Sequence, residues 1–221
     1  NKKNILILGS DGYLGSHLVA KLNSDEFNIM KFDLSPVSKD TLKLDTKNID
    51  DVLKIFENHQ FDVVISLVGL LPGRLTKKKL YDANLSAVEY LKNINISAHF
   101  IFTSSTAVYS NESHQKSPTV KPFEIYGASK LDSENVIKNF VNSYSILRIG
   151  TMISKNRDGG IMNFLKRIKK GQIIWMPFKG KVVHPFVSVD DVVNVIIYLC
   201  KNSITGTLDI IADERMSLSN L

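Results

Sequence analysis

The sequence predicts an α/β fold in which helices wind around both faces of a parallel sheet. Short apolar runs of strand length recur along the chain, and stretches with helical periodicity separate them. Strands that alternate with helices are joined by right-handed crossovers into a parallel, doubly wound sheet. A glycine-rich turn also joins the first apolar run to the first helical stretch, which is how many such sheets begin.

Composition limits the classes of function. The chain has 221 residues, 43% of them hydrophobic, which is enough for one sizeable core. No apolar run approaches the roughly 20 residues that a membrane span needs, and the N-terminus enters a strand directly, so we expect no membrane partner and no secretory leader. The single cysteine, Cys200, excludes an internal disulfide and favours the reducing cytoplasm.

The formal charge of +6 raises the question of a nucleic-acid partner. The lysines are scattered, with small clusters at 77–79 and 166–170, and basic residues are not interleaved with aromatic ones as in single-strand binders. A solvated surface explains this charge, and attraction for an anionic substrate is the alternative. We therefore predict no nucleic-acid partner. Separately, we predict no metal site.

The first strand is predicted at 4–8, and Gly9, Gly12 and Gly15 follow it before a helix that extends to Leu22. Glycines permit a tight turn and close approach of a pyrophosphate, and the helix N-terminus adds free N–H groups and a positive dipole end. The spacing is G-x-x-G-x-x-G rather than G-x-G-x-x-G. The segment indicates a dinucleotide site, with an ordinary glycine turn as the alternative.

A second strand is predicted at 27–32 and ends at Asp33, roughly 20 residues after the glycine turn. A carboxylate there can accept hydrogen bonds from both ribose hydroxyls and repels a 2′-phosphate. No arginine follows it, so NAD is favoured over NADP. Lys31 and Lys39 lie near enough in sequence to keep NADP as the less favoured cofactor.

The remaining elements continue the alternation. Helices are expected at 48–57, at 76–94, from 126 onwards, at 161–170 and at 190–201; strands are expected at 61–68, 100–106, 145–149, 172–176 and 206–211, with the first turn of another helix at 217–221. Ligands of such sheets bind beyond the carboxyl ends of the strands. Residues at or just beyond these predicted ends are Gly9, Asp33, Gly69, Ser105 and Arg148.

Tyr126 and Lys130 lie four residues apart at the start of a predicted helix, so they project from the same face. An ammonium lowers the pKa of a nearby tyrosine from its usual value of about 10, because it favours the phenolate. Such a phenol can donate and accept a proton near neutrality, and Ser105 could hold a carbonyl or hydroxyl beside it. The spacing is equally typical of an amphipathic helix with a solvated lysine.

In combination, these residues resemble the extended short-chain dehydrogenase/reductases, the NAD-dependent epimerase/dehydratase family, which acts mostly on nucleotide sugars. The resemblance covers nearly the whole chain and implies a Rossmann domain. Segment 184–192 is also similar to the family's substrate-domain segment, Arg-x-Phe-Val-x-Val-Asp-Asp-Val. The resemblance implies that NAD is held by Gly9, Gly12, Tyr13, Leu14, Gly15, Asp33, Asp45, Leu67, Val68, Gly69, Asn84, Tyr126 and Lys130.

The resemblance further implies a catalytic set of Ser105, Tyr126 and Lys130. Tyr126 would take a proton from a sugar hydroxyl while hydride passes to the nicotinamide, or the reverse would occur in reduction. Lys130 would bind the nicotinamide ribose, and Ser105 would bond the reacting oxygen. Asn84 would support the site rather than touch substrate, and a structural amide is the alternative.

Departures from the family pattern narrow the reaction. Sugar-nucleotide 4,6-dehydratases carry an Asp-Glu pair just after the catalytic Ser/Thr, where this chain has Thr106 and Ala107. We therefore expect a 4-epimerase or a 4-keto reductase. Arg148-Ile-Gly-Thr151 stands where many members have a substrate-binding Asn, and His184 replaces a diphosphate-binding Arg, so a similar hydroxy or keto compound remains an alternative to a nucleotide sugar. The candidate substrate residues are Thr106, Arg148, Thr151 and His184.

We divide the chain at residue 150. Residues 1–150 are predicted to form the Rossmann domain, and residues 151–221 a small C-terminal substrate lobe that is interleaved with the end of the sheet. Family members continue for many tens of residues, so either the chain is truncated or it is a compact member. The resemblance allows a homodimer.

A second class of function stays open beside the enzyme. A non-catalytic dinucleotide-binding protein of the same fold could serve as a structural or regulatory subunit. The intact Ser105, Tyr126 and Lys130 favour the enzyme, because a binding protein has no need of a phenol beside an ammonium. An epimerase keeps its cofactor bound through a cycle whereas a reductase releases it, and the sequence does not distinguish the two.

Overall fold

The computed structural model describes residues 2–73, 75–110, 119–153, 167, 169–171, 183–213 and 215–217. The strands of the main sheet are β1 (Lys3–Leu8), β2 (Phe27–Asp33), β3 (Leu42–Lys43), β4 (Val63–Ser66), β5 (His99–Ser105), β6 (Tyr144–Ile149) and β9 (Gly206–Ile210). They form a seven-stranded sheet in the order β3-β2-β1-β4-β5-β6-β9. Each pair of neighbours in it is parallel. The predicted parallel sheet is confirmed.

The central strands are apolar throughout because both of their faces are covered. Successive strand side chains point to opposite faces, so a strand between two helical layers needs apolar residues at every position. In β1, Ile5 and Ile7 belong to one buried cluster, whereas Leu6 and Leu8 belong to the other. A continuous apolar run was therefore the correct signal for this strand.

Helices cover both faces of the sheet. Helices α1 (Tyr13–Lys21) and α5 (Val189–Asn202) pack on one face, and helices α2 (Ile49–Asn58), α3 (Lys77–Glu89) and α4 (Ile125–Phe140) pack on the other. A 3₁₀ helix at Tyr90–Asn93 continues α3, so the helix predicted at 76–94 is α-helical only to residue 89. A second 3₁₀ helix, Thr106–Val108, directly follows β5. Within the described part of the chain, no helix has the length and apolarity that crossing a membrane requires.

A small second sheet was not predicted. It consists of β7 (Thr151–Ile153), β8 (Val183–Ser188) and β10 (Arg215–Ser217) in the order β10-β8-β7. The first and last of these strands have three residues each, too few to show a period, and β8 contains Pro185, which lacks the N–H donor of a sheet ladder. Ser217 thus ends a strand, where the sequence predicted the start of a helix.

Several elements predicted in the C-terminal part fall on residues that the structure does not describe. The strand predicted at 172–176, most of the helix predicted at 161–170, and residues 218–221 lie outside the described residues. After β8, the chain returns through α5 to the main sheet, where β9 pairs with β6. The division of the chain at residue 150 stays a prediction.

Candidate active site

The turn between β1 and α1 is so close at Gly15 that it leaves no room for a side chain there. Gly9 has a φ of +85°, and a Cβ added to Gly15 would lie 2.2 Å from the carbonyl oxygen of Gly9. Helix α1 begins after Gly12, with no side-chain cap and no acidic residue in its first turn. Its N-terminal amides and positive dipole end can therefore receive an anion. This close, uncapped turn fits the pyrophosphate of a dinucleotide.

The other residues predicted to hold the cofactor extend from this turn along the carboxyl edge of the sheet. The position of a Cβ on Gly9 is 3.3 Å from the carbonyl carbon of Leu67, so the segments after β1 and β4 adjoin. At the end of β2, Asp33 accepts hydrogen bonds from the backbone N–H of Asp11 at 3.1 Å and of Ser35 at 3.0 Å. Asp45, after β3, is exposed and accepts a hydrogen bond from the backbone of Lys47.

Lys130 is buried rather than solvated, with 5% of its surface exposed. Its Nζ donates a hydrogen bond of 3.0 Å to the carbonyl oxygen of Thr103 on β5 and lies 4.9 Å from the centroid of the Phe102 ring. A Cβ added to Gly69 would lie only 2.7 Å from this Nζ. The ammonium therefore lies between the ends of β4 and β5, and the alternative of a solvated lysine is excluded.

Burial makes this ammonium unusually acidic. Desolvation lowers the pKa of Lys130 from 10.5 to about 8, while the charge of Glu134 acts in the opposite direction. A lysine whose pKa is lowered by burial, at the carboxyl edge of such a sheet, is typical of a functional site.

Tyr126 and Ser105 flank a close contact between α4 and the turn after β5. A Cβ added to Gly127 would lie 2.0 Å from the carbonyl oxygen of Ala107, so only glycine permits the start of α4 to approach this closely. The Ser105 hydroxyl accepts a hydrogen bond from the backbone N–H of Ala107 and caps the 3₁₀ helix. The structure thus places Tyr126, which is half-buried, near the end of the strand that carries Ser105.

Asn84 joins two parts of this edge. Its buried amide accepts a hydrogen bond from the N–H of Leu70 at 2.6 Å and donates to the carbonyl oxygen of the same residue at 3.1 Å. It also donates to the hydroxyl of Ser129, and that hydroxyl donates to the carbonyl oxygen of Tyr126. Asn84 therefore fixes the segment after β4 against the first turn of α4.

The four residues predicted to contact substrate lie in different environments. Arg148 is buried, and its guanidinium donates to Glu134 and to the hydroxyl of Tyr109. These contacts are internal, and its role toward substrate stays a prediction. Thr106 begins the 3₁₀ helix, and Thr151 is exposed at the start of β7. His184 lies in β8, and its side chain is outside the part of the chain that the structure describes.

Two charged residues near the site were missed at the sequence level. Glu134 follows Lys130 by one helical turn, a spacing that places both on one helix face and that could have drawn attention to it. Asp11 lies inside the glycine turn, where short acidic side chains commonly bond neighbouring backbone amides. Both make several internal hydrogen bonds.

Comparisons with known proteins agree with this geometry. The model of the NAD dependent epimerase/dehydratase family matches residues 5–210. The chain is 28% identical over 227 residues to N-acetyl-alpha-D-glucosaminyl-diphospho-ditrans,octacis-undecaprenol 4-epimerase of Escherichia coli O157:H7, covering 92% of this chain and 65% of that protein. This chain thus spans less than two thirds of that relative's length.

Solved structures show the same fold at low identity. A dTDP-4-dehydrorhamnose reductase from Bacillus anthracis, in complex with NADP, has a TM-score of 0.81 and 22% identity over 98% of this chain and 77% of that one. A UDP-glucose 4-epimerase from Thermotoga maritima, with UDP-glucose, has a TM-score of 0.77 and 20% identity over 98% and 79%. Both an epimerase and a reductase therefore share this architecture.

Proposed function

We propose, from the premise that this chain belongs to the NAD dependent epimerase/dehydratase family, that it interconverts a hydroxyl and a keto group on a nucleotide sugar. The reaction is that of a 4-epimerase or, as the second candidate, a 4-keto reductase. A relative that covers 92% of this chain is named as a 4-epimerase, which supports the first candidate.

The observation that carries the proposal is the buried ammonium of Lys130, one helical turn after Tyr126. Removing an ammonium from water costs several kcal/mol unless other groups compensate. A lysine with only a structural role can keep its charged end in water while its stem packs. The burial of Lys130 therefore supports a role that needs a positive charge beside the phenol.

The division of labour among the residues follows from their chemistry. Tyr126, as the phenolate, accepts the proton of the sugar hydroxyl, and the Lys130 ammonium stabilises that phenolate. Ser105 hydrogen-bonds the same sugar oxygen. The residues of the glycine turn and Asp33 would hold NAD, which supplies the hydride acceptor when it is bound.

The atoms balance in both candidate reactions. In the oxidation, Tyr126 would accept the proton of the sugar O–H bond, and bound NAD would supply the acceptor for the hydride of the C–H bond, so that a ketone remains. An epimerase returns both to the sugar, with the hydride on the opposite face. A reductase starts from the ketone and consumes reduced cofactor, and in it Tyr126 donates the proton.

Dehydration is not favoured. It requires an acid to protonate the departing hydroxyl and a base to remove a proton from the neighbouring carbon. Thr106 and Ala107, which follow Ser105, can supply neither.

Incubation with NAD and UDP-, dTDP- or GDP-hexoses, and separately with reduced cofactor and the corresponding 4-keto sugars, followed by mass spectrometry and NMR, tests the proposal. An unchanged mass with inverted stereochemistry supports the epimerase, and net consumption of reduced cofactor by a 4-keto sugar supports the reductase. A product lighter by one water refutes the assignment. If NAD binds and none of these substrates reacts, the non-catalytic dinucleotide-binding protein is favoured.

Tyr126→Phe tests the catalytic role directly. It removes only the ionisable oxygen, so turnover should fall by roughly a hundredfold or more while affinity for NAD stays within about threefold. Tyr144→Phe, at the start of β6, is the matched control and should leave turnover unchanged. If Tyr126→Phe retains most of the activity, the phenol is not the proton acceptor.

Three further assignments complete the proposal. The preference for NAD over NADP rests on Asp33 at the end of β2. A cytoplasmic location rests on the single cysteine, and a homodimer rests on the family resemblance. Gel filtration with light scattering tests the last of these.

A further inference from the structure

Asp11 connects the glycine turn to the segment that follows β2. Its backbone N–H donates to Asp33 Oδ2 at 3.1 Å. Its own carboxylate accepts two backbone hydrogen bonds through Oδ2, from the N–H groups of Val37 and Ser38, and a third bond through Oδ1 from the Thr41 hydroxyl at 2.9 Å. Three donors of one short segment therefore converge on a single carboxylate.

These donors form an anion-binding cradle, which we define as the N–H groups of Val37 and Ser38 and the hydroxyl of Thr41. Successive backbone N–H groups that point to one place make a concavity that prefers a negative charge. Although burial raises the pKa of Asp11, the hydrogen bonds from this segment lower it to about 2. The cradle is consequently filled by a full negative charge at any ordinary pH.

The cradle lies close to the place where the ribose hydroxyls of the cofactor are expected to bind. It begins four residues after Asp33, the carboxylate expected at the ribose hydroxyls. Asp33 in turn accepts a hydrogen bond from the backbone N–H of Asp11. In NADP the 2′-oxygen of that ribose carries a phosphate, which needs donors near this place. The N–H groups that could serve it are already engaged by Asp11.

Two lysines lie near this segment in sequence, and one of them is already paired. Lys31, one of the two lysines that kept NADP as an alternative, forms an ion pair with Asp40 of the same segment and is mostly buried. The other, Lys39, is exposed. A 2′-phosphate approaching this segment would meet two carboxylates, Asp11 and Asp33, which are joined through the backbone N–H of Asp11.

We propose that Asp11 is a specificity-determining residue: its carboxylate occupies the anion cradle that the 2′-phosphate of NADP would require, and thereby selects NAD. Asp33 and Asp11 then act differently. Asp33 accepts hydrogen bonds from the ribose hydroxyls, whereas Asp11 occupies the donors that a 2′-phosphate would need. This inference rests on the dinucleotide site of the proposed function.

A purely structural role for Asp11 makes a different prediction. If the carboxylate only fixed the segment 34–41, its removal would weaken the binding of NAD and NADP by the same factor. If it occupies the phosphate's place, its removal must change the ratio of the two affinities.

Calorimetric titration of the full chain with NAD⁺ and with NADP⁺, at one fixed salt concentration, separates these cases. Asp11→Ser vacates the cradle, and NADP⁺ should then bind about tenfold more tightly while NAD⁺ weakens by no more than about threefold, because charge-assisted hydrogen bonds to a phosphate become available. Asp11→Asn keeps the size of the side chain and should change the ratio in the same direction by less. Circular dichroism verifies that each variant is folded.

Asp25→Ser is the matched control. Asp25 is exposed in the turn before β2, and its replacement changes the net charge by the same unit without touching the cradle. The ratio of affinities should not change in this variant. An equal loss of both affinities in the Asp11 variants, or an unchanged ratio, overturns the inference and leaves the proposed function intact. Failure of the unmodified chain to bind either dinucleotide overturns both.

Discussion

The ion pair between Glu134 and Arg148 permits a sharp test of how the site is supported. The side chain of Glu134 is fully buried and that of Arg148 is 9% exposed. Arg148 donates from Nε at 3.0 Å and from a terminal nitrogen at 2.7 Å, and the hydroxyl of Ser104 donates to the same carboxylate at 2.7 Å. Glu134→Gln keeps the size of the side chain but removes its charge, and leaves the guanidinium buried without a counter-ion.

The expected loss of stability is large. Removing one partner of a buried ion pair costs about 3–5 kcal/mol, chiefly because the other charge stays buried. The amide oxygen of glutamine can still accept one hydrogen bond, so we expect the lower end, about 3 kcal/mol. In a chain of this length, that corresponds to a decrease in Tm of about 6–12 °C.

The dependence on pH provides an internal check. Although burial raises the pKa of Glu134, the hydrogen bonds from Arg148 and Ser104 and the nearby charges lower it below the model-peptide value of 4.5. A carboxyl whose pKa is lowered by folding adds stability above the unfolded pKa and loses that stability as the pH falls through the folded pKa. The difference between the unmodified protein and Glu134→Gln should therefore decrease below pH 4.5.

Urea unfolding followed by circular dichroism, at pH 7 and at pH values below 4.5, measures both effects. Lys138→Gln is the control, because Lys138 contacts the same carboxylate from a partly exposed position at 3.3 Å and its loss should cost at most about 1 kcal/mol. The double variant Glu134→Leu with Arg148→Met should be nearly as stable as the unmodified protein. A loss below about 1 kcal/mol in Glu134→Gln would show that the pair does not support the fold.

Three other predictions concern the site itself. Burial lowers the pKa of Lys130 to about 8, so the folded protein binds fewer protons than the unfolded chain between pH 8 and 10.5. The free energy of unfolding should therefore rise with pH across that window. Urea unfolding measures this rise, and Lys130→Met should abolish it. Gly127→Ala should destabilise the protein by about 1–3 kcal/mol and reduce turnover, since the added Cβ would lie 2.0 Å from the oxygen of Ala107, while Gly73→Ala, with 4.0 Å of space, serves as the control. Asp33→Ala should reduce the preference for NAD in calorimetric titrations, and tighter binding of NADP by the unmodified protein would contradict the assignment of that acid.

The main sheet could be predicted from sequence because its signals are local. A strand covered on both faces shows itself as an uninterrupted apolar run, as β1 does, and a glycine turn followed by a helix shows itself within a few residues. The predicted bounds differ from the observed ones mainly at the ends, as for the strand expected at 61–68 and found at Val63–Ser66. The position at which a strand ends depends on where the neighbouring strands stop. The sequence of one segment does not contain that information.

The small sheet and the internal partners of the site could not be predicted for a related reason. Strand β8 contains a proline and pairs with segments about 30 residues away on each side, so its stability comes from contacts that its own pattern does not show. The burial of Lys130 similarly depends on Gly69 after β4 and Thr103 in β5. Sequence spacing placed the lysine beside the tyrosine but contained no information on whether water would reach it.

The partners of the buried charges explain how Lys130 keeps its positive charge available. Its ammonium is bonded to the carbonyl oxygen of Thr103, which orients the charge without neutralising it. The nearest helical turn also carries a carboxylate, Glu134, which could have formed a neutral pair with the lysine and cancelled its effect on the phenol. Arg148 instead engages both oxygens of Glu134, so the carboxylate is balanced from the neighbouring strand. The buried pair thus separates two opposite charges on one helix face, which is the arrangement that the proposed action of Lys130 on Tyr126 requires.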